Sequence, residues 1–526
     1  MILYLLILID LIIPCSVLQG IVKSFPRSLS LYALNREWES RKNKTIWILV
    51  YAGFFIFLFI NYSIVESVNT PIKLKAIIHV HSSVSSDKAN SFDYIAKLAR
   101  EKNIDVVFFT DHDIMKWEYG ILPFRNVFKK TVEKGSILKY GPAKYLEDIN
   151  EVRQKYSDVI IIAGAESSPF YYWEGSFFKR NLSVDEWNKH LLVLGLDNSV
   201  DYRNLPLVSN RNAGRYDLYS LLKFSPIFFL VLGIWIFLLP KVKHITYKDR
   251  AFIVERHFIR PLGGVVIVIS LIFAINNYPY KHFEFDQYHK DKRESPYQNL
   301  INYVSEKGGL IFWAHPEADY LVNIGWLKIL TPKYTDYLLA TDGWTGFSAL
   351  SMGYKIICQP KGIWDKILLE YCRGERKKPV WAIGELEYEG GNSIGSIFTI
   401  LFAKEKTKDG VLQALKSGSM YAFQKNIVYL DLVHFSVNDG ENKANMGEEI
   451  TVSKSPLIKI KITSDMNYPI EIRLFKNGEV IKTFNTITGE EINYTDNNPL
   501  NNGLNYYRFD AISDGSILVS NPIFIR

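Results

Sequence analysis

Between residues 70 and 425 the chain repeats one pattern, a short run of β-branched and aromatic residues that ends on polar ones. "KLKAIIHVH", "IDVVFFTDHD", "DVIIIAGAES", "GGLIFWAHPEA" and "VWAIGELEYEG" are the clearest cases, and apolar runs this short predict buried strands. Between the first two, "SFDYIAKLAREKNI" places Ile95, Leu98 and Ala99 at helical spacing. Strands alternating with helices predict a parallel α/β sheet or barrel. In such folds the loops leaving the carboxyl ends of the strands build the site, so His79, His81, Asp111, His112, Glu166 and His315 are expected to converge. His190, in "NKHLLVLGL", precedes its apolar run and needs a strand that enters the site from the other direction.

Longer apolar stretches lie outside this pattern. Residues 1–22 are apolar apart from Asp10 and a few small polar positions, and residues 46–64, "IWILVYAGFFIFLFINYSI", are long enough to span a bilayer. A cleaved signal peptide is disfavoured, because no Lys or Arg precedes the first apolar run and Pro14-Cys15 is a poor lipobox. Two further segments, 226–239 and 262–275, have apolar cores of only 14 residues, a length that also suits buried core helices. Residues 218–225 and 276–280 can extend them into the interfaces. The stretch between them, 241–260, carries six Lys/Arg, as does 23–44, so both are expected on the cytoplasmic side. The expected organisation is a membrane anchor of two helices over 1–70, a catalytic region over 71–425 interrupted at about 215–280 by a transmembrane hairpin, and a domain over 428–526. The catalytic region would be extracytoplasmic.

Composition agrees with a membrane protein of more than one unit, since 48% of the 526 residues are hydrophobic and 14% aromatic. The net charge of +7 could suit nucleic acid, but the Lys and Arg cluster beside apolar segments instead of forming one basic tract, so no nucleic-acid partner is expected. From about 430 the texture changes to alternating strands, "VYLDLVHFSVND", "LIKIKITSD" and "IEIRLFKNGEVIKTF", with Asn477-Gly478 as a hairpin turn. These and the last pair, "NYYRFDAI" and "SILVSNPIFI", predict an immunoglobulin-like β-sandwich with a packing or binding role. Cys358 and Cys372 are permitted to form a disulfide if they lie outside the cell.

Alternation places His79 and His81 on one strand face, where two neutral imidazoles can hold one metal ion. A lone histidine is more often a satisfied polar residue than a ligand, but six such groups at equivalent strand ends are harder to dismiss. Taken in order, these motifs resemble the PHP domain, the polymerase and histidinol phosphatase family, and in particular its membrane-anchored branch with an appended sandwich. The opening His-x-His corresponds to His79 and His81, the "HSSxSxD" continuation to Asp87, "TDH" to Asp111 and His112, the third-strand glutamate to Glu166, the histidine before a Val/Leu-rich strand to His190, and "AHP" to His315. The resemblance implies a distorted (β/α)7 barrel holding two or three divalent metal ions, manganese, iron or zinc, and phosphoesterase chemistry.

One stretch departs from the family. Where it ends a strand with Asp-x-His, this chain reads "IGELEYEG". Either Glu385 and Glu387 supply carboxylate ligands at i, i+2 spacing, or Leu386 and Tyr388 occupy the motif positions and one metal is lost. Metal-assisted hydrolysis of a phosphate ester follows from the retained residues, with Glu166 as bridging carboxylate and Asp111 orienting a neighbouring imidazole. The expected substrate is a phosphorylated small molecule or a membrane-proximal ester. The competing expectation is a non-catalytic membrane protein whose degenerate barrel binds a ligand or partner.

Overall fold

The computed structural model describes residues 71–240, 242–248, 250–255, 258–390, 394–498 and 503–526. The apolar stretches 1–22 and 46–64, the basic segment 23–44 and Cys15 lie outside the described residues.

The short apolar runs form strands because their side chains are buried on both faces. β1 (Ile72–Val80), β2 (Val106–Phe109), β3 (Ile160–Ser167), β4 (Leu191–Leu194), β5 (Leu310–Trp313), β6 (Gly346–Leu350) and β7 (Trp381–Gly384) lie side by side in chain order. Neighbours are parallel from β1 to β3 and again from β5 to β7. β4 alone runs antiparallel to both β3 and β5, so its first residue lies where the other strands end. That reversal brings His190 to the same rim as the other histidines.

The sheet curls into a half-barrel whose two ends meet. Leu386 N–H donates to the Ile78 carbonyl at 2.9 Å, Tyr388 N–H to the His79 carbonyl at 3.0 Å, and His81 N–H to the Tyr388 carbonyl at 2.9 Å. α1 (Phe92–Glu101) links β1 to β2, is capped by Ser91, and buries Phe92, Ile95, Ala96 and Ala99. α2 (Pro142–Lys155) starts on a proline and buries Tyr145, Ile149 and Val152.

Long excursions between the strands surround the half-barrel. A hairpin, Lys116–Gly120 with Lys129–Glu133, follows β2. Strands Tyr172–Glu174 and Ser183–Asp185 after β3 join Tyr320–Ile324 and Leu327–Thr331 after β5 in a four-stranded sheet. Between β4 and β5 come α3 (Leu218–Leu238) and α4 (Ile259–Asn277), both long and apolar enough to cross a membrane. Their close approach needs glycine, since a Cβ on Gly263 would sit 2.5 Å from the Phe237 nitrogen. Large apolar side chains along both remain exposed, among them Leu222, Phe228, Val268 and Ile275.

β8 (Ile397–Ala403) and β9 (Met420–Gln424) add to the free edge of β1, and the sheet continues past the expected boundary near 428. β9 pairs with Ser516–Ser520, which leads through Asn505–Ser513 to the Pro469–Lys476 and Glu479–Ile487 hairpin. A second, four-stranded sheet packs on this one through Phe435 and Phe509, whose rings lie 4.9 Å apart. The C-terminal strands are also tied to the half-barrel by side chains. Arg508 forms a buried fork on Asp365, both bonds at 2.8 Å, and Asn521 bonds both main-chain groups of Ala382. Cys358 and Cys372 are free thiols. Cys372 closes helix Ile363–Cys372, and Cys358 is buried ahead of the start of that helix.

Candidate metal centre

β1 does not leave the sheet by simple alternation. Its register against β2 shifts between Ile77 and Val80, and His79 takes a left-handed φ of 69°. A non-glycine residue in that region costs roughly 1–3 kcal/mol and persists where the surroundings impose it. The result is that the His79 and His81 rings converge, their Nε2 atoms 3.0 Å apart.

Glu166, at the buried end of β3, is the hub. Its Oε2 lies 3.2 Å from His79 Nε2, 3.2 Å from His81 Nε2 and 3.0 Å from His112 Nδ1. Its Oε1 lies 2.5 Å from His190 Nδ1 and 3.1 Å from His315 Nε2. Two groups have ligand atoms close enough to hold an ion, His79 with Glu166 and His315, and His81 with His112 and Glu166. The carboxylate belongs to both.

The surrounding bonds set the tautomers. Ser85 Oγ donates to Asp111 Oδ1 at 2.7 Å, so towards His81 Nδ1, 3.1 Å away, it can only accept. His81 therefore carries its proton on Nδ1 and presents a bare Nε2 to the cluster. Glu385 accepts from His79 Nδ1 with one oxygen, and from the His315 main-chain N–H with the other at 2.9 Å, so His79 also presents Nε2. Tyr334 gives its hydroxyl proton to the Ala314 carbonyl and accepts from His315 Nδ1 at 3.0 Å. Three imidazoles thus aim ring-nitrogen lone pairs at one carboxylate, a donor set that fits divalent metal.

Without metal, charge is shared among the same groups. Burial opposes a charge on His79, but Glu166 and Glu385 outweigh it and hold its pKa well above the ordinary value. His315, buried too, is raised to about 9 by its bond to Glu166 and the charges of Glu385 and Glu387. Burial keeps His190 down at about 4. Against the penalty of burial, the imidazoles of His190, His79 and His112 hold the Glu166 carboxyl well below its usual range, and His79 and His315 bring Glu385 to about 2. Protons on His79 and His315 thus occupy the places that metal ions would take.

The structure gathers His79, His81, His112, Glu166, His190 and His315 from the sequence-predicted set. Asp111 does not face the cluster: Ser82 N–H, Ser82 Oγ and Ser85 Oγ occupy its two oxygens, and it reaches His81 through Ser85. Asp87, expected as a ligand, lies exposed in the loop after β1, because that loop turns on Ser82 and carries residue 87 outward. Glu387 is also outside the two ligand groups. The strand ends at Gly384 and Glu387 has a left-handed φ of 51°, so the i, i+2 relation with Glu385 is broken. Burial raises the Glu387 pKa. Leu386 and Tyr388 are core residues that pair with the main chain of β1, and the Tyr388 hydroxyl accepts from Asn90 at 2.8 Å. Ser85 and Tyr334 were not among the predicted site residues, and Glu385, weighed as a metal ligand, instead accepts from His79 Nδ1 and the His315 main chain. Ser85 stood within the quoted motif, whereas nothing in the sequence around Tyr334 marks it.

A sheet of strands in this order, with histidines from its rim around a shared glutamate, defines a metal-site α/β protein. The chain belongs to the PHP domain family, whose model matches residues 78–385, more than half of its length. No curated protein matches the sequence. Among solved structures, a two-domain protein containing a PHP-like metal-dependent phosphoesterase from Bacteroides vulgatus is 12% identical, with a TM-score of 0.32, and the match covers 85% of this chain and 96% of that one. A protein described as a metal-dependent phosphoesterase from Bifidobacterium adolescentis is 16% identical, with a TM-score of 0.27 and coverage of 66% and 96%. An amidohydrolase from Chromobacterium violaceum is 13% identical, with a TM-score of 0.24 and coverage of 60% and 87%. Scores this low add nothing to the strand order described above.

Proposed function

We propose that this protein is a metal-dependent phosphoesterase held in a membrane by α3 and α4, with its site on the extracytoplasmic side. The observation that carries the reading is the Glu166 carboxylate shared between His79 and His315 on one hand and His81 and His112 on the other. Divalent ions held there, manganese, iron or zinc, would lower the pKa of a bound water and polarise a phosphoryl oxygen. The chain's own contribution is orientation. Asp111 through Ser85 fixes His81, Glu385 fixes His79 and the His315 main chain, and Tyr334 fixes the His315 ring. The substrate class is a phosphorylated small molecule or a membrane-proximal phosphate ester.

Exposed apolar surface on α3 and α4 supports the membrane part, and so do the six Lys/Arg of 241–260 at the far end of the hairpin. The test is hydrolysis of an aryl phosphate with manganese by the full-length protein in lipid nanodiscs. His79→Ala with His81→Ala should abolish the rate, and an unchanged rate would make both histidines structural. A reporter within 241–260 should read as cytoplasmic and one after Arg526 as extracytoplasmic; both on one side would remove the spanning assignment. An inactive wild-type protein that still binds a ligand would favour a non-catalytic binding role.

A further inference from the structure

The hairpin after β2 ends in an exposed apolar tip. Residues 121–128 read "ILPFRNVF", and Leu122 is 68% and Phe128 59% exposed. The tip is not loose. Gly120 permits its tight return, since a Cβ there would meet the Arg125 carbonyl oxygen at 2.0 Å, and Ile121 N–H closes it on the Phe128 carbonyl at 3.0 Å. A rigid loop that exposes large apolar side chains marks an interaction surface.

What it faces is indicated by its attachment. Asn126 N–H donates to Asn276 Oδ1 at 2.9 Å, its side-chain amide donates to the Asn276 carbonyl at 2.7 Å, and the Phe124 ring lies 4.9 Å from that of Phe273. Both partners belong to the last turns of α4. At ~1.5 Å per residue, Phe273 lies about 6 Å inside the helix end at Asn277, so the tip shares the depth of the final helical turns. Tyr216, Tyr219 and Tyr278 are exposed around the same ends of α3 and α4, the side chains that favour a bilayer interface. Arg125 within the tip and the exposed Lys130 and Lys134 behind it face only the exposed Glu133, since Lys116 and Lys129 are paired with Glu118, a balance suited to anionic headgroups. Arg125 is held there with its guanidinium 3.9 Å over the Tyr288 ring.

We infer that residues 121–128 form a membrane-interface wedge, with Leu122 and Phe128 seated in the lipid beside α4 and the basic residues at headgroup level. The inference rests on the membrane-spanning reading of α3 and α4. The hairpin is rooted beside the metal site, where Ile137 N–H bonds the His112 carbonyl at 2.9 Å and Lys134 N–H the Met115 carbonyl at 2.9 Å. The wedge therefore fixes the His112 rim at a set height above the bilayer.

The test places p-benzoylphenylalanine at Leu122, Phe128, Leu232 or Glu441 of the full-length protein, reconstituted in nanodiscs containing phosphatidylglycerol, followed by irradiation and peptide mass analysis. A mass shift of one phospholipid is expected at Leu122, Phe128 and the α3 position Leu232, and none at Glu441 in the C-terminal region. Lipid adducts at Leu232 but not at Leu122 or Phe128 would overturn the wedge while leaving the spanning helices in place. Loss of adducts at all three would overturn both. A protein–protein adduct at Leu122 or Phe128 would give that surface to a second chain and overturn the wedge.

Discussion

Glu166→Gln is nearly isosteric and removes one negative charge from the middle of five imidazoles. Its effect on the metal-free protein can be worked from the site. His315 rises from an ordinary 6.5 to about 9, a displacement worth roughly 3 kcal/mol and divided among Glu166, Glu385 and Glu387. Loss of Glu166 alone thus removes about 1 kcal/mol through His315, and the loss at His79, raised by the same carboxylate, has the same sign. Both folded-state pKa values are raised, so this stabilisation is complete below the unfolded value of about 6.5, and the His315 share is lost as pH climbs through about 9. As His315 becomes neutral, Glu166 loses a charged partner while its desolvation cost stays, so the penalty of glutamine shrinks. Thermal unfolding of the chelator-stripped, full-length protein in detergent should show the variant less stable by at least about 1 kcal/mol near pH 6, with a lower midpoint, and a smaller difference near pH 9.5. Equal destabilisation at both pH values would refute the charge-sharing picture.

Ser85→Ala deprives His81 Nδ1 of its acceptor and breaks the path to Asp111, so metal affinity should fall roughly 10- to 100-fold while Ser85→Thr retains it, as read by competition with a chelating dye. Glu385→Gln offers one carbonyl oxygen where two N–H groups need acceptors, so it should weaken metal binding far more than Glu387→Gln in the same titration; the reverse order would return Glu387 to the ligand set. Leu386→Asp with Tyr388→His should lower the unfolding midpoint sharply without adding metal, because both side chains are in the core. Metal loading near neutral pH should release protons, since His79 and His315 must give theirs up, and calorimetry in buffers of different ionisation enthalpy measures the number.

Much of the site was legible because strand ends are written locally. The runs before His79, Asp111, Glu166 and His315 are apolar at nearly every position, and that places their final polar residues on one rim. His190 was legible for the same reason in reverse, since a histidine before its strand requires the antiparallel β4. Asp87 and Glu387 fall outside the gathered groups because spacing describes a regular backbone, whereas the loop at Ser82 and the left-handed φ at Glu387 are set by tertiary contacts. Tyr334 lies beyond sequence reasoning of this kind: it meets His315 only because the excursion after β5 folds back on the rim. The C-terminal strands were legible one by one, but their joining to β9 depends on edge pairing, which alternation alone does not specify.

Elemental analysis of the full-length protein after manganese loading and gel filtration, wild type beside Glu166→Gln, tests the shared-carboxylate centre most directly. Two ions per wild-type chain, with at least one lost in the variant, is the predicted result. A wild-type protein that retains no metal, or a variant that retains as much as wild type, would contradict it.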